Sequence, residues 1–163
     1  MTPLEEEYIH YIECCDSLNH AWRILRELRA STHNPLVHDA AFRFALVAYA
    51  KPYTRSDGIH KRKRDAYKLP TPSLSPEELV LHEQILRLRD QVLAHSDLNV
   101  KDAIVYLGRF EGRANICIAQ NCPEPLPSRD AVVHLIEHTL TLLYADKARL
   151  LDSLAPTART EEG

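Results

Sequence analysis

The chain has 163 residues, 45% of them hydrophobic, enough for one domain with its own apolar core. Four glycines, with no G-x-G-x-x-G or P-loop pattern, argue against a phosphate-cradling loop; Gly108 and Gly112 come nearest and lack the Lys-Ser/Thr that must follow. Net charge is −3, no apolar run reaches the roughly 18 residues of a membrane span, and Met1 to Leu18 is acidic and amphipathic, unlike a signal peptide, so a soluble, cytoplasmic protein without membrane association is expected.

The first predicted element is a long helix. Leu4, Tyr8, Tyr11, Cys15, Leu18, Trp22 and Leu25 recur in steps of four and three, one stripe of a bundle helix. It should end between Ala30 and Asn34, where Ser-Thr-His-Asn-Pro is turn chemistry. Asn34 then caps a second helix with Pro35 at its first position. That helix stops at Pro52, because the residue before a proline is pushed out of the α region.

From Pro52 to Ser75 no periodicity is sustained. Between Lys51 and Lys68 stand seven basic residues (Lys51, Arg55, Lys61, Arg62, Lys63, Arg64, Lys68) and two acidic ones (Asp57, Asp65), a charge of +5 inside an otherwise acidic chain. A basic patch of this kind suits a specific anionic partner, although a solvated surface loop would carry the same charges. Ser75-Pro76-Glu77-Glu78 matches a capping box with proline at N1, and opens a third helix.

That third helix carries Ile85 to Asp97, "ILRLRDQVLAHSD". At about 100° per residue, Leu81, Ile85, Leu88 and Val92 fall within about 40° of one line, and Leu79, Leu86 and Leu93 form a second set about 120–160° away. Arg87 falls in the polar sector with Glu83, Asp90 and Gln91. Arg89 falls between the two apolar sets, where a charge is unfavourable unless paired or placed at an interface. His95 lies on the edge of the apolar arc near the helix end, where the macrodipole alone favours a histidine. Arg55 with His60 and Arg129 with His134 also match R-x4–6-H, and they lack a rigid frame or a shared apolar face.

Beyond Asp97, "AIVYLGRF-EGR-ANICIAQ" alternates imperfectly around a Gly-containing turn and reads either as a hairpin or as a helix broken near Gly108. Pro-Glu-Pro-Leu-Pro is a stop, and Ser128 caps a last long helix. The expected fold is mainly α: an up-and-down bundle of about four to five helices, with a possible small hairpin before the last. It makes one domain over residues 1–155, with the basic loop at 51–75 and a polar tail at 156–163.

Cys14, Cys15, Cys117 and Cys122 give an adjacent pair and a C-x4-C spacing, neither a zinc knuckle nor a secreted disulfide framework, and read as reduced structural thiols. His134 and His138 stand four apart, a spacing that can bind zinc, without an acidic or cysteine partner at a supporting spacing. No metal and no cofactor is expected.

Arg89-Asp90-Gln91-Val92-Leu93-Ala94-His95 gives an R-polar-x4-H arrangement late in a central helix, and in this the chain resembles the HEPN superfamily. "AHSD" and "YAKPYTRSDG" are most similar to its abortive-infection branch. The resemblance extends over roughly residues 5–155, with its specific motifs in about twenty positions. It implies a metal-independent endoribonuclease of toxin or phage-defence type, working as a homodimer on RNA and held by a cognate antitoxin. On that reading His95 is general acid/base and Arg89 the phosphate clamp, oriented by Asp90 or Asp97, while Arg55, Lys61, Arg62, Lys63 and Arg64 hold flanking phosphates. Some nuclease members carry a tyrosine two residues after the histidine, where this chain has Asp97. The alternative is a non-catalytic HEPN-like module that binds nucleotide, RNA or a protein partner through the same cleft.

The chemistry is consistent with a dimer. Cleavage through the ribose 2′-hydroxyl needs a base, an acid and a cation for the developing phosphorane charge. Arg89 and His95 lie about 120° apart on an ideal helix, so one helix cannot converge them on one phosphate. A two-fold axis past this helix would bring two of each into one crevice.

Overall fold

The structure is a computed structural model, and it describes residues 1–30, 34–62, 65–90, 103–110, 113–120 and 125–154. The chain forms a helical bundle in the order α1 (Pro3–Ala30), α2 (Pro35–Ala50), α3 (Pro76–Leu88) and α4 (Arg129–Leu154), with a 3₁₀ turn at Lys51–Tyr53. Between α3 and α4, strands β1 (Ala103–Phe110) and β2 (Arg113–Gln120) pair antiparallel, Ala103 opposite Gln120 and Phe110 opposite Arg113. Among the described residues no helix is long and apolar enough to cross a membrane.

Local chemistry sets the helix starts. The Asn34 side chain accepts from the Leu36 N–H, with Pro35 in the first turn of α2. Ser75 accepts from the Glu78 N–H while the Glu78 carboxylate accepts from the Ser75 N–H, a complete capping box with Pro76 in the first turn. α2 ends two residues before Pro52, and the chain tightens into the 3₁₀ turn that carries this proline.

Packing sets the helix directions. Tyr11 donates to the Leu143 carbonyl (2.5 Å), Trp22 Nε1 to Glu137 (2.8 Å) and Arg129 to the Leu28 carbonyl (3.3 Å), so α4 runs antiparallel to α1. His38 lies 3.3 Å from the Leu28 carbonyl, which turns α2 back along α1. α3 packs on α2 and α4. The core fills with Leu18, Leu25, Leu46, Tyr49, Ile85, Leu88, Leu135 and Ile136, each no more than 1% exposed. In α1 the buried line is Cys14, Cys15, Leu18, Ala21, Leu25 and Leu28, whereas Leu4, Tyr8, Tyr11 and Trp22 of the expected stripe are half-buried. The stripe has the expected period but is rotated slightly, because α2 and α4 both pack on this helix.

Candidate functional site

The capping box fixes where α3 begins, and the helical repeat then decides what faces inward. His82, Ile85 and Leu88 are buried, Arg87 and Asp90 are exposed, and the Arg89 side chain is 29% exposed. Arg89 lies seven residues beyond His82, about 20° from the same line. It is the polar continuation of the core stripe at the end of α3. Its Nη1 donates to Asp90 Oδ1 at 2.6 Å, and its Nε is shut off from solvent with no partner among the described residues. At Arg89–Asp90 the helix passes into a π turn, a local widening that recurs at functional sites. His95 and Asp97 lie outside the described residues.

The line that ends in Arg89 is anchored by a polar cluster. Tyr49 Oη lies 2.8 Å from His82 Nδ1, and the Tyr53 ring meets the imidazole edge-on at 4.6 Å. Thr139 of α4 is fully buried beside the hydroxyls of Tyr49 and Tyr53. Burial holds the imidazole below its ordinary pKa, only partly offset by Glu83, and pushes both phenols upward, so all three groups are neutral here. His82 was not singled out from sequence. The available signal was its position in the middle of the apolar arc, about 20° from Arg89.

The basic loop is tied down by a carboxylate. Glu6, 6% exposed on α1, accepts from the Ile59 N–H, the His60 N–H (2.9 Å) and the Tyr67 hydroxyl (2.8 Å). Burial works against its charge, but these three hydrogen bonds and the His60 charge together hold its pKa below the usual carboxylate value. Ser56 and Tyr67 exchange two backbone hydrogen bonds at 2.9 Å, and the Leu69 N–H reaches the Pro52 carbonyl. Gly58 is required at the clamp, because a Cβ there would come within 2.5 Å of Glu6 Oε1 and 2.8 Å of the Tyr67 ring. Glu6 was not legible as a buried residue, since it stands in an acidic run at the start of a helix.

Of the predicted RNA-contacting residues, Arg55 and Arg62 are exposed, and Lys61 sits 4.7 Å over the Tyr67 ring and 3.8 Å from Glu7. Lys63 and Arg64 lie outside the described residues. Lys61, Tyr67 and Lys68 face His10 and Tyr11 of α1 and Arg149 of α4 across a cleft of ≈ 570 Å³. Glu7, Asp65 and Asp146 also line it, so its charges balance.

This cleft and Arg89 are not brought together within the chain. α3 and α4 touch at Glu78 and His138 (2.8 Å) and run in opposite directions from there. Arg89 and Arg149 each lie eleven residues from that contact, about 17 Å of helix rise in opposite directions, or about 30 Å in all.

His134 and His138 do not converge as a metal pair. His138 bonds Glu78, the His134 side chain is 80% exposed, and no group that could hold a metal ion occurs among the described residues. Cys14 and Cys15 are buried free thiols; burial pushes Cys14 up to about 12.

No family model, no curated protein and no solved structure matches this chain.

Proposed function

We propose that the protein is a metal-independent endoribonuclease of toxin or phage-defence type, cleaving RNA by attack of the 2′-hydroxyl at a site shared by two copies of the chain. The observation that supports this most is the placement of Arg89: a cation drawn onto the core-facing line of α3, its Nε desolvated and its fork steadied by Asp90. A guanidinium with one nitrogen committed keeps further N–H donors for a phosphate, and it is stronger in a partly dry setting than in water. His95 supplies the proton transfers, two copies serving as base and acid across the two-fold axis, and Asp97 orients the imidazole. A cognate antitoxin covers this crevice until release.

The test is cleavage of RNA by purified protein with chelator present. Wild-type protein cuts, while Arg89→Ala and His95→Ala each lose at least about a hundredfold in rate and remain folded. Intact RNA with the wild-type protein, or unaltered cutting by His95→Ala, refutes the proposal.

A second reading, a non-catalytic RNA- or partner-binding module, is favoured by one observation: Arg149, which lines the cleft with Lys61 and Lys68, lies about 30 Å of helix rise from Arg89, an extended surface rather than one compact cleft. RNA binding that survives His95→Ala, with a salt slope reduced by about one for each of Lys61→Ala and Arg62→Ala, supports it.

A further inference from the structure

Resting on the reading of Arg89 as a phosphate clamp, we infer that His82 is a positioning residue whose contact with Tyr49 fixes the rotation of α3 and so decides where Arg89 points. α3 buries three side chains, His82, Ile85 and Leu88. Apolar burial is non-directional, so Ile85 and Leu88 tolerate a roll of the helix at small cost. The His82–Tyr49 hydrogen bond is directional, and both its ends lie at 1% exposure or less. Tyr53 at 89° and Tyr49 at 81° to the imidazole plane brace the ring on two sides.

The lever is short. His82 and Arg89 stand two turns apart on one line, so rotation at the first is delivered almost in full to the second. A roll of about 20° carries a group about 6 Å from the axis through about 2 Å. A displacement of about 1 Å can already cost about a hundredfold in rate. Two further polar ties of α3, Glu78 with His138 and Gln84 with the Pro125 carbonyl, are solvent-accessible and yield more easily.

The groups that face His82 are Tyr49 of α2, Tyr53 of the 3₁₀ turn and Glu83 of its own helix, with Thr139 of α4 beside the two tyrosine hydroxyls, and all but Glu83 are neutral. Protonating the imidazole places a charge in a buried setting with no carboxylate bonded to it among the described residues, which is unfavourable.

The test follows exchange of the Arg89 Nε–H with solvent in the full chain, a readout that needs no RNA. Tyr49→Phe and His82→Leu retain apolar bulk and remove the directional bond; His82→Asn keeps a polar atom near the Nδ1 position. The expected result is exchange about tenfold faster in the first two and within about threefold of wild type in His82→Asn. Leu25→Ala, which removes core volume on α1, leaves the Arg89 rate unchanged. Unchanged exchange in a folded Tyr49→Phe protein overturns the inference, as does an equal acceleration in Leu25→Ala, which would mark general loosening. If His82→Leu fails to fold, Tyr49→Phe decides. In the cleavage assay Tyr49→Phe lowers kcat and leaves KM in place. Absence of cleavage by wild-type protein refutes the ribonuclease reading instead, and the exchange result still judges His82.

Discussion

Gly58→Ala is the sharpest probe of how the basic loop is held. An added Cβ meets Glu6 Oε1 at 2.5 Å, Glu6 Cδ at 2.7 Å and the Tyr67 ring at 2.8 Å, all below normal contact. A free carboxylate would swing away cheaply, but this one accepts from Ile59, His60 and Tyr67, so moving it breaks the clamp. Overpacking of this kind costs about 1–3 kcal/mol. A chain of this length loses roughly 3 °C for each kcal/mol, so Tm should fall by about 3–9 °C. Thermal unfolding followed by circular dichroism measures this, and limited trypsin digestion at the Lys61-to-Arg64 run should accelerate in step. The mechanism has an internal check: with Glu6→Ala already present, Gly58→Ala should cost less than it does alone, because two of the three atoms it strikes are gone and only the Tyr67 ring remains. A Tm within about 1 °C of wild type with unchanged digestion, or full additivity of the two substitutions, would refute the clamp.

Acid should act in two windows. Glu6 has a lowered folded pKa, so the stability it contributes is present above the unfolded value of 4.5 and is lost as pH falls through the folded value; loop digestion should accelerate there. His82 is also lowered, but it is a base held neutral. The unfolded chain therefore takes up more protons below its value of 6.5, and Tm should begin to fall there, less so in His82→Asn. Ser75→Ala removes one half of the capping box and should cost about 1 kcal/mol, read from urea unfolding; an unchanged midpoint contradicts the cap. Cys14, with a thiol pushed up to about 12 and 5% exposed, should resist alkylation near pH 8 until the chain is unfolded; prompt labelling of the native protein counts against this burial.

Where one helix begins and ends was written into the chain itself. Asn34-Pro35, Ser75-Pro76-Glu77-Glu78 and Pro52 act through hydrogen bonds and steric clashes a few residues long, so they read correctly without knowledge of the fold. The same short range let the helical repeat separate an exposed Arg87 from a half-buried Arg89. Tertiary structure decided the rest. Glu6 is buried because Gly58, Ile59, His60 and Tyr67 return to cover it more than fifty positions later, and no local pattern announces that. His82 is a core residue because Tyr49 partners its Nδ1 and the Tyr53 ring packs against it edge-on, contacts that only the folded chain supplies. The opposite directions of α3 and α4 put the cleft under the basic loop and Arg89 at two ends of the bundle. Charge composition records how many cations a chain carries, but only packing sets the distance between them.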